Sequence, residues 1–392
     1  KTLLNYYDLI LPTSQKGIQT IQKLKNLSGL KWKKDIYWDN FDNVDMGVDN
    51  KMIFLYLDNN IEAYRLNSGI MIWRTEIGDN DSHIASGGVM DEKHIFSIKV
   101  RQPDENKFWQ NKTVLDFASY KEAQRYSLIA TEKRGGAIIF DVPLDIPGAG
   151  GVDWMGINNN KIFIQSISNN DMSIFAHDIK NGDLLWKISR EISDYYTTYD
   201  LKPAFYNSNL YLPLDTKIEY INSDNGVLYG QYSSEYIEQI FSFNENSIQN
   251  NTMIFFIEDI EIEYVVVDLE ENAEINLGDI NLDNPKLGSW INNIFVDVSS
   301  YGIVTAYDFR PAENMEIKPA WQEDFNSPVS LLGSNKKNIY ILDTDNNNII
   351  VANSKSGWFI KSEALLWPVK NLEMINNYFI VQSASKLYLI SI

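Results

Sequence analysis

A glycine followed four residues later by an aromatic recurs along the chain, and this spacing constrains the fold more than any other feature. "LNSGIMIW" carries Gly69 and Trp73, "RGGAIIF" carries Gly136 and Phe140, and "KNGDLLW" carries Gly182 and Trp186. Each glycine follows a run of the form apolar-x-small-apolar-polar: Ile61, Ala63, Tyr64 and Arg65 in the first copy, Leu128 and Ala130 in the second, Ile174, Ala176 and Asp178 in the third. Weaker copies come after. "IEYINSDNGVLYG" keeps Gly226 but has Gly230 where the aromatic is expected, and Asn272 holds the glycine slot of "YVVVDLEENAEIN". "VTAYDFRPAENMEIKPAW" keeps Ala306 and Asp308 ahead of a lengthened turn and Trp321, while "IIVANSKSGWFIK" restores Gly357 with its aromatic moved beside it, at Trp358.

The slots fall at 69, 136, 182, 226, 272, 312 and 357, so every interval but the first lies between 40 and 46 residues. A period in the forties, built from short alternating strands with turn residues between them, marks a four-stranded propeller blade. The first interval, 67 residues, holds an insertion at about 100–126. "NYFIVQSASKLYLISI" ends the chain after two strands, and "LSGLKWKKDI", with Gly29 and Trp32, offers the strand that is missing there. The expectation is an all-β chain: an eight-bladed β-propeller of four-stranded antiparallel blades over residues 29–392, its ring closed by the N-terminal strand so that no sheet edge is left open. A solenoid would need capping repeats and has no reason to split one unit between the termini. Helical repeats conflict with the period-two alternation of "KIFIQSIS" and "NLYLPLD". Residues 1–28 read as an N-terminal arm with a short amphipathic helix from Ser14 to Leu27.

Fifty-three acidic side chains against 34 basic ones give a net charge of -19, which repels phosphate backbones and anionic headgroups, so nucleic acid is not an expected partner. There is no cysteine, hence no disulfide, thiolate nucleophile or Cys-ligated metal. No apolar run reaches the roughly 18 residues of a membrane span. The chain begins at Lys1, as expected where a leader or anchor segment has been processed off.

The pattern apolar-x-Ala-apolar-Asp, then Gly, then Trp resembles the repeat of the pyrroloquinoline-quinone-type β-propellers, over residues 29–392. That family includes quinoprotein dehydrogenases and a lipoprotein of the outer-membrane β-barrel assembly machinery; the chain is more similar to the latter in length and in its lack of Cys. The resemblance implies a non-enzymatic protein–protein interaction scaffold on the periplasmic side of the outer membrane, monomeric, without a cofactor, and held to the membrane only by a lipid anchor. Its partners would be a component of the barrel assembly machinery and unfolded barrel substrates. In such a repeat the glycine admits a positive backbone angle and the aromatic wedges between neighbouring blades. Gly69, Trp73, Gly136, Phe140, Gly182, Trp186, Trp321, Gly357 and Trp32 are accordingly expected to be blade joints rather than ligand contacts.

Two alternatives remain: a quinoprotein-type dehydrogenase, which the same resemblance implies, and a glycan- or peptide-binding propeller. The family's dehydrogenases stack their quinone against a disulfide of adjacent cysteines and hold Ca²⁺ with carboxylates and an Asn, and this chain has no cysteine. "DTDNNN" at 343–348 resembles the start of a calcium loop but has Asn348 at the glycine position and Ser354 at the last ligand, so a hairpin explains it better. His83, His94 and His177 lie in separate repeats with no metal-ligand spacing, and His177 occupies an apolar strand slot. "GAGG" at 148–151 lacks the Lys of a phosphate loop, and Glu258 and Asp259 are too ordinary a pair in an acidic chain to nominate as acid and base. No catalytic residue and no metal site is assigned.

What remains is binding through loops, where a rigid scaffold carries recognition. Two segments hold aromatics where solvated loops usually do not. One is the insertion, with Phe108, Trp109, Phe117, Tyr120 and Tyr126; the other is "DYYTTYD", with Tyr195, Tyr196 and Tyr199. Of these, Phe108, Trp109, Phe117, Tyr120, Tyr195, Tyr196 and Tyr199 are the expected partner-binding residues.

Overall fold

The computed structural model describes residues 30–35, 45–57, 59–79, 81–103, 124–146, 150–168, 170–193, 200–233, 237, 239–244, 247–249, 251–258, 262–270, 273–274, 285–291, 294–299, 302–308, 319–334, 337–346, 348–361, 371–375, 378–383 and 386–391. Within them the regular structure is β, arranged as eight sheets.

One sheet shows the plan. Asp45–Val48, Met52–Leu57, Asn60–Arg65 and Met71–Glu76 pair in chain order as an antiparallel meander. The two middle strands are buried on both faces and read as near-continuous apolar runs, "MIFLYL" and "NIEAYR", whereas the fourth alternates as a half-exposed edge should. A transverse row crosses it: Phe54 lies opposite Ala63, and Ala63 opposite Trp73. The same row recurs as Phe96, Ala130 and Phe140, and as Phe163, Ala176 and Trp186. A small residue in the middle leaves the space into which the flanking rings lean, with Phe54 and Trp73 centroids 6.0 Å apart and Phe163 and Trp186 5.7 Å apart. In each copy the register slips immediately after the alanine, a bulge that lets the chain enter the glycine turn.

Residues 82–144, 151–191, 204–232, 285–324 and 329–361 repeat the four-stranded plan. Residues 239–274 depart from it. Besides four meander strands, that sheet takes in Ile248–Gln249 and the two-residue strand Asp200–Leu201, which runs parallel to Gln239–Phe243. Asp200–Leu201 belongs to the connection between the sheets at 151–191 and 204–232. Burial accounts for the detour: Leu201 is 1% exposed and joins a cluster with Ile240 and Phe243, and Lys202 donates its backbone N–H to the Phe243 carbonyl at 2.7 Å. The last sheet is built from both ends of the chain, because Leu30–Asp35 pairs antiparallel with Lys386–Ser391.

The apolar cores lie between sheets rather than within one. One cluster joins Phe54, Ile61 and Trp73 to Ile95 and Ile129 of the following sheet, and another joins Ile53, Leu55 and Tyr64 to Ile380 and Leu389 of the last. Further clusters link 82–144 with 151–191, 151–191 through 239–274, and 285–324 with 329–361. The insertion is narrower than the repeat spacing suggests. Arg101 and Arg125 are paired, so the two flanking strands run to its edges, and Tyr126 is strand, not insertion. Tyr126 is 6% exposed and its hydroxyl donates to the Gly150 carbonyl at 2.5 Å, which corrects its expected place in the insertion.

Candidate docking surface

The glycine slots are turns between third and fourth strands. At Gly69, Gly136, Gly182, Gly226 and Gly357 φ lies between 64° and 77°, and each glycine N–H donates to the carbonyl four residues back at 2.8–2.9 Å. Space as well as φ demands glycine. A Cβ on Gly136 would stand 2.7 Å from the Trp73 ring, on Gly226 2.9 Å from Trp186, and on Gly357 2.8 Å from Trp321. The aromatic of one sheet therefore covers the glycine turn of the next, and Phe140 covers Gly182 in the same way.

The joints are not chemically equal. Trp73 Nε1–H donates to the Lys133 carbonyl at 2.8 Å and Trp321 Nε1–H to the Ser354 carbonyl at 2.9 Å, in both cases three residues before the glycine. Thr75 adds a bond to the Gly136 carbonyl at 2.6 Å. The Trp186 indole N–H is buried with no acceptor among the described residues, and the Ser223 hydroxyl, three residues before Gly226, is also buried without a partner. Phe140 has no N–H to offer, and Gly230 supplies no ring. Trp358 does not fill a joint either: it is 46% exposed.

A half-buried ion pair reinforces the first joint. Lys133 Nζ lies 3.1 Å from Asp49 of the preceding sheet and 5.8 Å from the centre of the Phe54 ring. Burial raises the Asp49 pKa, but the backbone N–H groups of Lys51 and Met52 and the Lys133 ammonium outweigh it and hold the carboxyl below its ordinary value. His177 is a core residue with one ring nitrogen, Nδ1, 2.8 Å from the Gly182 carbonyl and the other, Nε2, buried without a hydrogen-bond partner among the described residues, and burial pushes its pKa below the usual range. Asp343 accepts from the backbone and side chain of Asn346 and pairs with Asn348 across a hairpin, the geometry expected of "DTDNNN".

Between each glycine and its aromatic lie residues that the repeat pattern leaves unassigned. They form an exposed apolar row. Ile70, Met71 and Ile72, then Ile138 and Ile139, then Leu184 and Leu185, then Val227, Leu228 and Tyr229 occupy the same slots on four successive sheets, with exposures from 41% to 66%. Among the described residues the strands that carry them pair on one side only, so open backbone donors and acceptors run beside the apolar side chains. The sequence signal was present in "GIMI", "GAII", "GDLL" and "GVLY", where two or three apolar residues follow one another on an edge strand that should alternate. Phe108, Trp109, Phe117, Tyr120, Tyr195, Tyr196 and Tyr199 lie outside the described residues, as do residues 1–29 and Asn272; the Trp32 side chain is likewise not described.

This is an all-β protein of propeller-like fold. Among solved structures it is similar to BamB from Moraxella catarrhalis, at a TM-score of 0.59 and 13% identity, covering 92% of this chain and 100% of that one. The computationally designed Ika8 protein matches with the same TM-score, identity and coverage. No family model matches the chain, and no curated protein matches it by sequence. At 13% identity these likenesses establish the fold alone.

Proposed function

We propose that the chain is an eight-bladed propeller, closed by the strand Leu30–Asp35, that works as a non-enzymatic protein–protein scaffold of the BamB type, assisting the assembly of outer-membrane β-barrel proteins. The observation that carries the reading is the apolar row on four successive edge strands, a surface that offers main-chain pairing and hydrophobic contact together. The propeller-like fold and the repeat resemblance support it. Residence on the periplasmic side of the outer membrane, a lipid anchor and a monomeric state belong to the same proposal.

The test is crosslinking in membranes followed by capture of this chain. A membrane-embedded barrel component of the assembly machinery should copurify, and Ile139→Glu with Leu184→Glu should weaken that capture without changing the melting temperature. Trp109→Ala and Tyr196→Ala, at the expected partner-binding loops, should weaken it as well. Capture that survives all four changes would rule out both surfaces.

A further inference from the structure

A cleft of about 770 Å³ lies where the sheets of residues 45–76, 82–144 and 371–391 meet. Two tight turns of the first sheet form one wall, held together by the Leu66 backbone N–H donating to the Lys51 carbonyl at 2.7 Å. They present Lys51 and Arg65. The turn before Gly136 presents Arg134 from the second sheet, and Tyr378 closes the far side.

The charge of this cleft runs against that of the whole chain. Lys51, Arg65 and Arg134 are exposed, and none makes an ion pair among the described residues. Asp49 cannot neutralise them, because it already accepts the backbone N–H groups of Lys51 and Met52, both at 2.8 Å, and the Lys133 ammonium. That leaves Glu92 as the other acid on the cleft wall. With Asp49 paired to Lys133 and Glu92 set against Lys51, Arg65 and Arg134, the described wall keeps two net positive charges on a protein of net charge -19. Apolar side chains lie between them: Met52, Ile72 and the ring of Tyr378 line the cleft, and Ile70 and Met71 continue from Ile72 onto the open edge strand.

We infer that this cleft binds an acidic peptide segment carrying an apolar side chain, its carboxylates meeting Lys51, Arg65 and Arg134 and its apolar group resting on Met52 and Ile72. Arginine suits the task, since its guanidinium holds a carboxylate by two parallel bonds. The volume is within the range that encloses a small ligand or a few residues of peptide. A nucleic acid or an anionic membrane would bring many charges against the repulsive field of the whole protein, whereas a segment with two or three carboxylates meets the local cations within about one Debye length, roughly 8 Å at physiological salt. The scaffold reading supplies the biological partner; the binding itself rests on the cleft.

The experiment uses the full chain and a fluorescein-labelled peptide of three alternating Glu–Leu pairs, read by anisotropy. Saturable binding is expected, weakened by added salt and absent for the same peptide with Lys in place of Glu. Arg65→Glu and Arg134→Glu should each weaken it roughly tenfold, the effect of losing a charge-assisted bond. Lys180→Glu, an exposed charge reversal on another sheet, should leave it unchanged. All three residues are exposed, so melting temperatures should match the wild type. The inference is overturned if no saturable binding occurs, if Lys180→Glu weakens it as much, or if glutarate, inorganic phosphate or an oligonucleotide competes as well as the unlabelled peptide. Membrane capture is measured in parallel: no peptide binding with capture intact sinks the cleft alone, and peptide binding with capture absent sinks the scaffold reading alone.

Discussion

Replacing Trp73 by alanine removes an indole that is 9% exposed, packs on Phe54, covers Gly136 and donates to the Lys133 carbonyl. Truncating a buried tryptophan costs about 4 kcal/mol in transfer and cavity terms, and the carbonyl left without its donor adds about 1 kcal/mol. With an unfolding entropy of about 2 cal/mol/K per residue, this corresponds to a fall in melting temperature of about 6 °C if the 392 residues unfold together. Trp73→Phe separates the two contributions. It keeps an aromatic over Gly136 and loses the N–H bond and part of the ring, about 1–2 kcal/mol or about 2 °C. Differential scanning calorimetry of both variants reads the result, with membrane capture as the second measurement. A Trp73→Ala chain that melts with the wild type but no longer captures its partner would show that this residue binds rather than joins.

The other joints give sharper comparisons. Trp186→Phe should cost less than Trp73→Phe and raise the melting temperature if cavity loss is small, because it removes a buried N–H that has no acceptor among the described residues; equal losses at the two sites would refute the assignment. Gly136→Ala should destabilise by about 2–4 kcal/mol, since it meets both a positive φ and the Trp73 ring; a melting temperature within 1 °C of wild type, about the error of such a scan, would contradict the close approach. His177 should make the fold acid-sensitive. Burial lowers its folded pKa below the ordinary 6.5, so its neutral form stabilises the fold above that value, and stability falls as pH drops below it. Between about pH 7.5 and 5 the melting temperature of the wild type should fall further than that of His177→Phe, and parallel curves would exclude the residue as the cause.

Much of this was legible because the repeat acts locally. The glycine at positive φ, the alanine opposite the aromatic and the apolar second strand are each required by a few neighbours in one hairpin, so they recur at fixed spacing and can be read as a pattern. Tyr126 misled the reading because insertion and strand merge without punctuation there, and only its pairing with Val100 and Leu144 places it inside a sheet. Trp358 misled it too, since an aromatic beside the glycine looks like a displaced joint until the turn is seen to point it outward.

The candidate surfaces are a different matter. "GIMI" and "GDLL" carry the same composition whether the strand is covered or bare, and exposure is set by which sheet edge meets a neighbour. Lys51, Arg65 and Arg134 belong to two repeats and three turns; no spacing links them, and they meet because Trp73 docks on Gly136 and draws one turn over the next. By itself the sequence determined the four-stranded unit and its glycine turns, where short-range sterics and hydrogen bonding leave little choice. Tertiary structure alone decided which apolar residues stay outside and which charges converge, because both depend on how sheets far apart in the chain pack side by side.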